Sequence, residues 1–121
     1  MTARIFHILA LLLLWGFPAF AAEVVVVQGE RNIPYEAAVR GFEGTAGVRT
    51  VERLVLSELR GADVVRTVRE ARPRLVLAVG REALIRVREI REIPVVYVMV
   101  ASPESTGALG RNVTGVTMTV A

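Results

Sequence analysis

Four consecutive β-branched residues, Val24-Val25-Val26-Val27, set the strongest limit on what this chain can become. A strand with one wet face alternates polar and apolar residues. A run this apolar needs cover on both sides, as in the interior of a parallel sheet. Gly29 closes it. Leu75-Val76-Leu77-Ala78-Val79 has the same character and is ended by Gly80. The third such run, Val95 to Val100, follows Pro94, which sits where a strand tolerates a missing N–H. Val48 to Leu56 alternates more and suggests a strand on an exposed edge, and Val113 to Val120 is a last β-prone segment of alternating Thr and Val.

Between these runs the spacing is helical. Asn32 stands as a cap before Pro34, which suits a first helical turn. Tyr35, Ala38, Val39 and Phe42 then share one face, and Gly44 and Gly47 end the segment. Gly61 and Asp63 introduce a second helix with Val64, Val65, Val68 and Ala71 inward; Pro73 terminates it. Glu82 to Arg91 reads as a third, with Ala83, Leu84, Val87 and Ile90 inward. Strands alternating with helices predict an α/β fold, a three-layer open parallel sheet built from βαβ crossovers.

The 121 residues suffice for one small domain. Residues 1–21 stand apart from it. Arg4 precedes the nearly unbroken apolar run Ile5 to Phe17, Pro18 breaks it, and Ala19-Phe20-Ala21 fits a signal-peptidase site. A bilayer span needs about 20 apolar residues, so this run is short for one. The expectation is a signal peptide helix over 1–21, then a mature domain over 22–121 in the periplasm; an uncleaved anchor is the alternative. The chain has no Cys, so it carries no disulfide framework, thiolate site or lipid-anchoring cysteine. Every basic residue is Arg, and the 15 are interspersed with 12 acidic residues. Without a basic patch, nucleic acid is not an expected partner.

In open parallel sheets, ligands bind beyond the carboxyl ends of the strands, where strand order reverses. Three segments are expected at that edge: Gln28 to Asn32, Gly80-Arg81-Glu82 and Ala101-Ser102-Pro103. Exposed N–H groups at helix starts favour anions there. Gly80 permits close backbone approach, and Arg81 can hold a carboxylate through two parallel hydrogen bonds. Ser102 and Ser105 are small hydroxyl donors. The candidate ligand-binding residues are therefore Asn32, Gly80, Arg81, Glu82, Ser102 and Pro103. Each has a plainer reading: Gly80 as a turn, Arg81 and Glu82 as solvated first-turn residues, Pro103 as a loop shaper. Glu30 and Arg31 read as a surface ion pair, and Tyr35 and Tyr97 as core or core-edge rings. Asn112-Val113-Thr114 matches a glycosylation triplet, a pattern common by chance.

The sole His, His7, lies in the N-terminal run, so Ser-His triads and the usual zinc sites are not expected beyond it. No Walker-type run or GxGxxG follows the first strand. Neither an enzyme nor a cofactor or metal site is expected.

Two stretches resemble a family. Ala62-Asp63-Val64-Val65, continuing through Ala71-Arg72-Pro73-Arg74-Leu75-Val76-Leu77-Ala78-Val79-Gly80, is one. Ile93-Pro94-Val95-Val96-Tyr97-Val98-Met99-Val100, followed by Asn112-Val113-Thr114-Gly115-Val116, is the other. Together they resemble ABC-transporter substrate-binding proteins of the TrpX-like type. The resemblance implies one lobe of a type I periplasmic-binding fold, which closes with a second lobe on a small solute, often an amino acid. It also implies an ABC permease in the inner membrane as partner. A second lobe is absent from the sequence as read, and the surface it would cover is a candidate homodimer contact. An exported interaction module or an inactive fragment is the alternative. Where the family commonly has a small hydroxyl turn, this chain has Gly80-Arg81-Glu82; where an Asp-Pro pair is usual, Ser102 replaces the acid.

Overall fold

A computed structural model describes residues 23–47 and 50–117. The expected signal peptide at 1–21 and the end of the last β-prone segment lie outside these residues. Five strands, β1 (Val24–Gln28), β2 (Thr50–Val55), β3 (Leu75–Val79), β4 (Val95–Val100) and β5 (Val113–Thr117), form one sheet in the order β2-β1-β3-β4-β5. Every neighbouring pair is parallel. The interior runs read from the sequence are β1, β3 and β4. The alternating segment is the edge strand β2, paired only with β1.

Three helices lie on the two faces: α1 (Ile33–Ala46), α2 (Val64–Ala71) and α3 (Arg81–Arg86). Successive strand residues point to opposite faces, and β1 shows why it can be all valine. Val25 and Val27 join Val76, Ala78, Val95 and Tyr97 beneath Val64 and Val68 of α2 and Ala83 and Leu84 of α3. Val24 and Val26 join Leu77 and Val79 on the other face, against Val39 of α1, with Tyr35 and Phe42 packed alongside. Each fully buried Val contributes on the order of 1.5–3 kcal/mol, so both faces of β1 hold the fold together. Helices on both sides of a parallel sheet give three layers.

The helix ends follow local chemistry. Asn32 Oδ1 accepts from the Tyr35 N–H at 2.9 Å, with Pro34 in the first turn, and Gly47 ends α1 at φ +62°. Gly44 does not end the helix. Asp63 Oδ1 accepts from the Arg66 N–H and starts α2, which ends in left-handed Arg72 just before Pro73.

The third helix is shorter than expected. It stops at Arg86, and single turns carry the chain on to Ile90. Yet Val87 and Ile90 are buried, as the inward pattern required. Past Arg86 the backbone bonding tightens to i to i+3 turns, which still keep this face inward: the Arg88 N–H bonds the Ile85 carbonyl at 3.3 Å. The Ile90 N–H accordingly bonds the Val87 carbonyl at 3.0 Å.

Candidate functional site

Because all strands are parallel, the segments after β1, β3 and β4 emerge along one edge. Strand order reverses between β1 and β3, since β1 leads outward to β2 and β3 leads away to β4 and β5. A cleft of about 230 Å³ lies at that point, lined by Gly29, Glu30, Tyr35, Ser57, Arg81 and Glu82.

Gly29 is ringed closely. A Cβ on it would stand 3.7 Å from Tyr35 Cε2, 3.8 Å from the Val79 carbonyl and 3.9 Å from Glu82 Cβ. Its carbonyl accepts from the Ser57 N–H at 3.1 Å, which docks the turn after β2 onto the loop after β1. Tyr35 reaches from the first turn of α1 across to the β3–α3 junction. There Gly80 adopts φ +94°, and a Cβ would fall 2.6 Å from the Tyr35 hydroxyl oxygen. Gly80 is thus required twice, by its backbone angle and by the ring beside it.

The β1–β2 side of the rim is a charge network. Arg31 pairs with Glu58 and lies 3.6 Å from Glu36; Arg53 Nη1 bonds Glu36 Oε2 at 2.7 Å. Gln28, fully buried at the end of β1, donates through Nε2 to Glu36 Oε1 at 3.1 Å and to the Glu30 carbonyl at 2.8 Å. Among the described residues its Oε1 has no hydrogen-bond partner. The Gln28 amide, then the Arg53 guanidinium, hold Glu36 below the ordinary carboxylate range against the desolvation that would raise it. Glu58 and Glu36, not Glu30, are the partners of Arg31, which corrects the expected Glu30–Arg31 pair.

The β3–β4 side is built differently. Arg81 Nη1 donates to Ser105 Oγ at 2.6 Å and, more weakly, to the Ser102 carbonyl at 3.5 Å. Ser105 Oγ in turn donates to that same carbonyl at 2.8 Å. The backbone beneath is unusual: Met99 and Ser102 have φ +59° and +50°, and the β4–β5 register shifts between Tyr97 and Val100.

The expected site residues therefore divide. Arg81 and Glu82 line the cleft and Gly80 underlies its wall. Asn32 adjoins it but is occupied as the α1 cap, with Nδ2 bonded to Glu30 Oε1 at 3.0 Å. Ser102 and Pro103 belong to the β4 loop, connected to the cleft through Arg81; Ser102 is exposed and the Pro103 ring is buried. Tyr97 is a core residue, as expected.

Tyr35 packs at the edge of the core, as its expected core-edge placement has it, and it also lines the cleft, a role that the sequence reading gives to neither it nor Ser57. Tyr35 lies in the helix turn that starts at the rim, a position from which its ring reaches the edge. Ser57 carries no comparable signal, because only the docking of the β2 turn brings it in.

A larger depression, about 630 Å³, lies along the outer side of α2, lined by Asp63, Arg66, Arg69 and Glu89 among others. It follows the length of α2 rather than the strand-order reversal, and several of its charges pair with neighbours, as in Arg66–Glu70 and Arg69–Glu92. We favour the smaller cleft because it combines the strand-order reversal with an aromatic wall and a guanidinium that, among the described residues, bonds only neutral acceptors.

Asn112 of the glycosylation-like triplet lies at the opposite edge, with Nδ2 donating to the Ile90 and Ile93 carbonyls. Among the described residues there is no cluster of metal-ligating side chains, and no helix is long and apolar enough to cross a membrane. Comparison with family models, with curated proteins and with solved structures returns no match for this chain.

Proposed function

We propose that this chain is a solute-binding lobe of an ABC importer, of type I periplasmic-binding kind, working in the periplasm after export and delivering a small solute such as an amino acid to an inner-membrane permease. The observation that carries the reading is the rim cleft at the β1–β3 reversal, the place where open parallel sheets take ligands. The family resemblance agrees with it. The cleft combines a cation, Arg81, with two carboxylates, Glu30 and Glu82, and the Tyr35 ring. None of the six ion pairs among the described residues involves Arg81, Glu30 or Glu82. Unpaired charges of both signs suit a dipolar solute with an ammonium and a carboxylate.

The test is a thermal-shift screen of the twenty amino acids on the full chain, followed by calorimetry on each that raises Tm. A saturating ligand at about a hundred times Kd adds about 2.7 kcal/mol of apparent stability, which such a screen resolves easily. A flat screen, with no heat of binding, would sink the reading.

A second reading, an exported interaction module, draws on one observation. Val116 on β5 is 68% exposed, and Val96 and Val98 beside it are only half-buried. Concentration-dependent self-association in the ultracentrifuge, together with a flat solute screen, would favour it.

A further inference from the structure

We propose that Arg81 is an exchangeable latch: it holds the loop after β4 while the cleft is empty, and gives that loop up when a solute carboxylate takes its guanidinium. The inference rests on the reading of the cleft as a solute site, and goes beyond it by joining occupancy to a movement of one named loop.

Three observations carry it. Among the described residues, Arg81 both lines the cleft and bonds the β4 loop, through Ser105 Oγ and the Ser102 carbonyl. Its acceptors are neutral, and among the described residues it pairs with no carboxylate. The other rim guanidiniums, Arg31 and Arg53, are each committed to glutamates. A carboxylate adds its own charge to that of the guanidinium and can accept two parallel N–H bonds from it, which a single hydroxyl cannot, so a carboxylate entering the cleft outcompetes Ser105 for Arg81.

The loop is also built to move. Within nine residues, Met99, Ser102 and Gly107 all have positive φ, and the first two are not glycine. A non-glycine residue held there is strained, and only surrounding contacts sustain it. The Arg81–Ser105 bond is one of those contacts, bridging the β3–α3 junction to the loop. Taking it away shifts the loop toward its relaxed conformations. Arg81 is then a ligand contact in one state and a positioning residue in the other.

The two roles predict an affinity change of unusual sign. While Ser105 holds Arg81, the solute must compete with it, so the population ready to bind is reduced. Ser105→Ala removes the competitor without touching the cleft lining. One net hydrogen bond corresponds to about a three- to tenfold change in an equilibrium. Ser105→Ala should therefore bind solute about three- to tenfold more tightly, whereas a loop that merely shapes the site would bind more weakly when cut loose.

The experiment is amide hydrogen exchange on the full chain, with calorimetry on Ser105→Ala, Arg81→Ala and Arg81→Lys. The probes are the amino acids that raise Tm, with methylamine as an ammonium lacking a carboxylate. Without solute, Ser105→Ala and Arg81→Ala should speed exchange at the Ser105 and Ala108 amides and leave the Ser57 amide unchanged. With an amino acid bound, the native chain should show the same loosening, and methylamine should not produce it. Arg81→Lys, keeping the charge and N–H donors but not the planar fork, should partly restore both protection and affinity. Solute binding that leaves the Ser105 amide fully protected overturns the latch but leaves the binding reading intact. Weaker binding by Ser105→Ala also overturns it. If no amino acid binds at all, the binding reading fails first, and the coupling falls with it.

Discussion

The two halves of the rim solve one problem by different means. On the β1–β2 side the loops are fixed by charge: Arg31, Glu36, Arg53 and Glu58 form a network, Gln28 braces it from below, and Asn32 caps α1. On the β3–β4 side they are fixed by backbone shape and neutral hydrogen bonds: Gly80, Met99 and Ser102 at positive φ, with Arg81 reaching to Ser105. A network of paired charges leaves no guanidinium to offer a ligand, whereas an arginine held by a hydroxyl is still available. The difference teaches that the rim's rigid half and its responsive half are distinguished by what its arginines are bonded to, not by how many there are.

The largest effect should come from the shape-determined half. Gly80→Ala places a methyl 2.6 Å from the Tyr35 hydroxyl oxygen and demands φ +94° of a residue with a Cβ. Strain and overpacking together should cost about 2–4 kcal/mol in urea unfolding. Combining it with Tyr35→Ala separates the two, because removing the ring relieves the overlap but not the backbone angle. If Gly80→Ala proves as stable as the native chain, the shape-determined half is not what holds the β3–α3 junction.

That distinction was only partly written in the sequence. The all-apolar runs fix β1, β3 and β4 as interior strands, and parallel strands put their following segments on one edge whatever the loops contain. The caps Asn32 and Asp63 were legible too, since a short polar side chain before a helix has one favoured task. What could not be read is which rim residues meet. The Arg81–Ser105 bond joins positions 24 apart, and Arg31–Glu58 positions 27 apart. No local pattern distinguishes Glu58 from Glu30 as a partner; the docking of the Leu56–Glu58 turn onto Gly29 does. The early end of α3 is not legible, because Ala83, Leu84, Val87 and Ile90 fit an α-helical face as well as they fit the tighter turns that follow Arg86.

A middling effect tests the charged half at its cap. Asn32→Ala loses the bond to the Tyr35 N–H and the bond to Glu30, and should cost about 1 kcal/mol. Asn32→Asp keeps an acceptor for the Tyr35 N–H but sets a second carboxylate against Glu30. It should therefore recover only part of the loss, more in high salt than in low, because screening weakens like-charge repulsion. Equal stability of Asn32→Ala and the native chain in chemical denaturation would show that the cap contributes nothing to this side.

The smallest effect is also the one that most directly separates the halves, and it is read with acid. Glu36 has its folded pKa lowered, first by Gln28 and then by Arg53, so what it adds to stability is present above its unfolded value of 4.5 and lost as pH falls through the lower folded value. The Arg81–Ser105 bond joins a guanidinium to a hydroxyl and involves no carboxylate. Lowering the pH below 4.5 should thus weaken the charged half alone. Far from the rim, Glu92 is held at about 2, chiefly by its bond from Arg69, and loses its contribution between 4.5 and that value. It serves as an internal reference for the acid response of an exposed pair. These groups are exposed, so the shift should be modest and should shrink with added salt. Corrected for the intrinsic rate of exchange, protection at the Ser57 amide should fall with acid while protection at the Ser105 amide holds. Loss of both together would mean that the two halves open as one unit, and the contrast between a charge-braced side and a hydroxyl-held side would have no mechanical consequence.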